Sequence, residues 1–217
     1  MKTDQQSGQQ QLVAPGWHLV LVLFALALLS VTGLYLGAAP FVLRYTILAA
    51  RQILLLALVL LAVALRDLLG RLPSTWPATV RDAAMGIALA VVCWQAWPYL
   101  ARVIKPPASA GLIPRNTGEI ATYLLVAGLV APFIEELVVR GYLQQQFSAI
   151  THCSAAGVAL QAIVWGTVHG FLGWRHMLMI AGLGVPFGLL ALWRRSLMPG
   201  IGAHCVFNIF VLMSWRA

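Results

Sequence analysis

Residues 119–147 read EIATYLLVAGLVAPFIEELVVRGYLQQQF. An apolar run beginning near Ile120 ends in two adjacent glutamates, Glu135 and Glu136, with an arginine, Arg140, four residues after the second. As a single helix the segment would extend about 43 Å at about 1.5 Å per residue. That exceeds the roughly 30 Å hydrocarbon core of a bilayer, so it must tilt, break or protrude. Glu136 and Arg140 share a helical face and can pair, which offsets much of the cost of burying either charge. Glu135 is rotated by about 100° from Glu136 and needs a different partner. An ionisable group inside a span is a functional hypothesis by default, since it costs roughly 3 kcal/mol near the bilayer centre. The bland alternative is that both glutamates mark the helix end at the interface.

The rest of the chain supports a membrane setting. Of its 217 residues 61% are hydrophobic and 9% charged, and the mean hydropathy is +0.87, far from the average of soluble domains. Apolar runs separated by Pro, Gly and Arg predict seven helices: 17–37, 45–65, 83–104, 119–147, 155–174, 176–193 and 199–215. Arg44 and Arg51 at the start of the second leave room for an interfacial turn there and for only six spans. The expected fold is all-α, a polytopic transmembrane bundle of six to eight helices in one membrane domain. A polar, glutamine-rich segment, 1–16, precedes it and is expected to be disordered. The N-terminal helices occupy 17–104. A linker at 105–118, KPPASAGLIPRNTG, breaks the helical pattern, and 119–217 follows. The opening has too little positive charge for a signal peptide, so 17–37 reads as a retained span.

The net charge of +8 does not predict nucleic-acid binding, because the basic residues stand singly between apolar runs. Their distribution over alternate loops is even and gives no orientation. Tryptophans 17, 76, 97, 174, 193 and 215 fall near run ends, as an aromatic belt requires. Cys93, Cys153 and Cys205 are far apart and imply neither a disulfide framework nor a zinc finger.

The N-terminal half reads as free of buried charge, so the chemistry is expected after the linker. WGTVHG places His169 four residues after Trp165 in the fifth helix, and MPGIGAHCVFNIF places His204 and Asn208 one turn apart on the seventh. Each motif alone is weak, since a lone histidine in an apolar helix is more often a satisfied core residue. His18, His152 and His176 receive no role. Threading the antiparallel helices brings Glu135, His169, His204 and Asn208 to similar depth, so they can form one cluster. A carboxylate, two imidazoles and an amide suit hydrolysis: Glu to take a proton from water, His to orient it, and donors to hold an oxyanion. The same cluster would also serve a noncatalytic scaffold or immunity protein, or a small transporter.

EELVVR, WGTVH and HCVFN, in this order on late membrane helices, resemble the CAAX-type protease and bacteriocin-processing (CPBP) family of intramembrane proteases. The resemblance implies a glutamate-type endopeptidase in which Glu135 activates water, His169 orients it, and His204 with Asn208 stabilises the oxyanion, supported by Glu136 and Arg140. It implies a peptide, lipidated or C-terminally tagged protein as substrate, membrane lipid as surroundings, and a multi-pass location in a bacterial inner membrane. No cofactor is expected. Zinc at Glu135, His169 and His204 is the alternative, weakened because Asn is a poor zinc ligand.

Overall fold

The segment quoted above becomes the axis of the molecule. A computed structural model describes residues 14–35, 39–61, 63, 65–106, 113–170 and 173–214, and every regular element in them is helical. The helices are α1 (Gly16–Tyr35), α2 (Phe41–Leu60), α3 (Leu65–Leu69), α4 (Trp76–Ile104), α5 (Thr117–Thr151), α6 (Ser154–Thr167), α7 (Trp174–Arg194) and α8 (Met198–Ser214). The all-α polytopic bundle expected from hydropathy is therefore present. Helices α2, α4, α5 and α7 are long and apolar enough to cross a membrane, while α1, α6 and α8 present shorter apolar stretches. About seven spans agrees with this arrangement. The N-terminal 1–13, linker residues 107–112 and Trp215 lie outside the described residues.

Helix α5 does not break. The side chain of Asn116 accepts from the Glu119 backbone N–H at 2.9 Å, and the Glu119 carboxylate reaches back to the N–H of Arg115, which satisfies donors at the helix start. Two π-helical segments, Val126–Val130 and Leu137–Leu143, interrupt its α-helical ladder. These flank the short α-helical stretch Ala131–Glu136 that carries both glutamates. Single π turns inside α-helices are frequent at functional sites. Every residue from Leu137 to Leu143 is buried, the charged Arg140 included.

Two apolar clusters enclose this axis. On one side Val22 of α1 and Val59 of α2 pack with Leu137 and Leu143. On the other, Ala90 of α4, Trp165 of α6, Phe187 of α7 and Ala203 and Phe207 of α8 pack around Val139. Small residues allow the closest approach: a Cβ at Gly86 of α4 would run into the carbonyl of Pro199 in α8. Close backbone contact of this kind drives helix association where water supplies no hydrophobic force. Buried amides act as polar glue: Gln161 donates to Gly184 O at 2.8 Å and Gln144 to Gly188 O at 3.1 Å.

Four sequence expectations change. Helix α2 runs unbroken through Arg44 and Arg51, so no interfacial turn forms there; the Arg44 guanidinium bonds the Ala39 carbonyl, part of the helix's own entry. The third predicted run, expected from residue 83, starts at Trp76 as α4, with Pro77 at a position that tolerates its missing N–H. The N-terminal half does contain buried charge: Asp82 is buried and held by Arg194 of α7 at 3.0 Å. His18, given no role, is fully buried; Nδ1 meets the Tyr142 hydroxyl at 2.7 Å and Nε2 the Leu58 carbonyl at 2.8 Å, joining α1, α2 and α5.

Candidate active site

Glu135 leaves α5 toward α2 and α6. Its Oε1 accepts from Gln52 Nε2 at 2.7 Å and its Oε2 from the Trp165 indole Nε1 at 2.8 Å. One N–H on each oxygen fixes the carboxylate plane and supplies the partner that its helical neighbour could not. A carboxylate has about four lone-pair sites, so both oxygens retain capacity for a further donor.

Glu136 points elsewhere on the helix. It is fully buried and accepts from Arg140 Nη1 at 2.8 Å, the pairing expected from their spacing. Its second oxygen presses against Gly200, where any Cβ would collide with it. Gly200 lies in the first turn of α8, whose dipole favours a negative charge there. The Arg140 guanidinium sits 4.2 Å from the Trp165 ring centroid and 5.5 Å from that of Phe187. Two aromatic faces thus cover a cation that a single carboxylate only partly satisfies.

His204, on α8, stands between the two carboxylates: Nε2 is 3.9 Å from Glu135 Oε2 and Nδ1 is 3.3 Å from Glu136 Oε1. The second approach is short but off the geometry of a hydrogen bond. Its ring is edge-on to Trp165 at 5.1 Å.

His169 was expected within a helix, but α6 ends at Thr167. The ring folds back so that Nδ1 bonds the Trp165 carbonyl at 2.8 Å, covering one of the orphan carbonyls at the helix end. A carbonyl only accepts, so Nδ1 carries the proton and Nε2 of the neutral ring is an acceptor. The ring is edge-on to Trp165 at 5.8 Å, within electrostatic reach of Glu135 and His204. The structure thus gathers Glu135, His169 and His204 around one indole.

Asn208 is one turn beyond His204. Its Nδ2 donates to the Ala127 carbonyl at 2.7 Å, in the first π-helical segment of α5, and its own carbonyl accepts from the Tyr123 hydroxyl at 3.1 Å. A π turn leaves carbonyls displaced from the regular ladder. Asn208 therefore joins α8 to the axis.

Sequence reasoning missed Gln52 and underrated Trp165. The available signal for the first was a lone amide in the apolar run of α2, a group that needs a partner in lipid. Among the described residues no three His, Cys, Asp or Glu side chains are grouped to hold one ion.

The fold is that of an integral membrane protein, and its later helices carry this polar cluster. Residues 117–210, somewhat less than half of the chain, match the family model for type II CAAX prenyl endopeptidase Rce1-like proteins. This part of the chain is an Rce1-like domain, in keeping with the CPBP resemblance read from the three motifs, all of which it contains. No curated protein and no solved structure matches the chain.

Proposed function

We propose that the protein is a glutamate-type intramembrane endopeptidase whose substrate is the C-terminal tail of a membrane-associated, prenylated protein or peptide, in a bacterial inner membrane. The observation that carries the reading is the held carboxylate of Glu135, oriented by Gln52 and Trp165 beside His204 and His169.

In this mechanism a water lies between Glu135 and Nε2 of His169. Glu135 takes its proton while the oxygen attacks the scissile carbonyl. The tetrahedral oxyanion is held by a ring N–H of His204 and by the second amide N–H of Asn208, the first being engaged by Ala127. Glu135 then passes the proton to the leaving amine, and a carboxylic acid and an amine result. Glu136 and Arg140 do not touch the reacting atoms; the pair stiffens the helix that carries Glu135. The reaction as drawn uses no metal.

The test is purified protein in liposomes given a prenylated peptide ending in a CAAX sequence, in water enriched in oxygen-18. Cleavage with one heavy oxygen in the new carboxylate is expected. If the protein is folded and inserted but leaves prenylated, unprenylated and C-terminally extended peptides all intact, the reading is wrong and the scaffold reading takes its place.

A further inference from the structure

Helices α4 and α7 leave a groove of about 470 Å³ on the outer face of the bundle, away from the site. Met85, Ala88 and Leu89 line it from α4, and Pro186, Leu189 and Trp193 from α7. The lining is almost wholly apolar. Phe187, beside Pro186, turns inward to Arg140 and His204, so the reacting groups lie on the other side of α7.

One end of the groove is charged. Asp82 stands one turn before Met85 and receives Arg194 Nη2 at 3.0 Å and Arg81 Nε at 3.3 Å. The Arg194 guanidinium lies over the ring of Trp193, the same ring that walls the groove, at 5.5 Å from its centroid. The Arg81 side chain is 58% exposed, and Arg195, which ends α7 in a left-handed conformation, is also exposed. One carboxylate shared by Arg81 and Arg194, with the exposed Arg195 next along the chain, leaves net positive charge where the apolar groove begins.

We infer that this is a binding site for an anionic phospholipid, with its phosphate on Arg81 and Arg195 and one acyl chain laid between α4 and α7. The charge complementarity selects the headgroup, and the contiguity of Trp193 with Arg194 joins headgroup and chain into one site. Arg194 stays with Asp82 as the wall. Basic groups near a membrane surface contribute about fivefold each in affinity for an anionic lipid.

The experiment is native mass spectrometry and thermal unfolding of the full chain with phosphatidylglycerol or phosphatidylcholine of identical acyl chains. Phosphatidylglycerol should be retained and should raise the melting temperature, and phosphatidylcholine should do neither. Arg81→Gln with Arg195→Gln should weaken phosphatidylglycerol retention by about tenfold or more without lowering the melting temperature in lipid-free detergent. Ala88→Trp, on an exposed position, should block the groove and weaken retention with the arginines intact. Equal retention of both lipids, or retention unchanged in either variant, overturns the inference. Displacement of phosphatidylglycerol by farnesol would also overturn it, assigning the groove to a prenyl chain. None of these readouts uses peptide cleavage, so they stand apart from the proposed activity.

Discussion

Trp165 serves Glu135 and Arg140 at once: its indole N–H donates to the Glu135 carboxylate at 2.8 Å while its face lies 4.2 Å from the Arg140 guanidinium carbon. Edge and face of one ring thus connect the two glutamate systems of α5. Trp165→Phe keeps an aromatic face and deletes the donor. Peptide cleavage should fall by about tenfold or more, since a hydrogen bond to a charged group contributes about 1.5–3 kcal/mol, and the helical content should be unchanged. Wild-type turnover in this variant would show that the indole only fills space.

Arg140→Ala removes the partner of a fully buried carboxylate. Breaking a buried pair from one side costs about 3–5 kcal/mol, so the melting temperature in detergent should drop sharply along with activity. A variant with the wild-type melting temperature would show that Glu136 finds another partner.

Gln52→Leu tests whether the N-terminal helices belong to the site. The substitution leaves Oε1 of Glu135 without its amide donor while keeping an apolar side chain on α2. Cleavage should decrease several-fold, with Gln52→Asn intermediate at best, because the shorter amide falls short of the carboxylate. Unchanged cleavage by Gln52→Leu would confine the site to the Rce1-like domain.

Gly86→Val should disrupt the bundle, because a Cβ at this position meets the Pro199 carbonyl and neither backbone can yield cheaply. Loss of the monodisperse species in size-exclusion chromatography is expected. A well-folded variant would mean that α4 and α8 have room to separate.

The parts that were legible in the sequence are those set by spacing along one helix. Glu136 and Arg140 meet because they are one turn apart, and the seven apolar runs each became a helix because hydropathy and length dictate spans. What escaped depended on contacts between helices. Gln52 reaches Glu135 only because α2 packs against α5, and Asp82 fell outside the run predicted from residue 83 until α4 began at Trp76. The end of α6 before His169 was hidden because the valine, threonine and glycines around it fit a helix and a turn alike. The π-helical segments of α5 have no signature in hydropathy at all, yet they carry Ala127, which Asn208 bonds, and follow directly on Glu136.

The proposed base that activates water is Glu135. Glu135→Gln keeps the size of the side chain and one acceptor oxygen but cannot take a proton. The measurement is the initial rate of prenylated-peptide cleavage by wild-type and Glu135→Gln protein in the same liposomes, at matched folded amounts. A fall of roughly 100-fold or more, with an unaltered melting temperature, is predicted. Cleavage by Glu135→Gln at the wild-type rate would contradict the assignment.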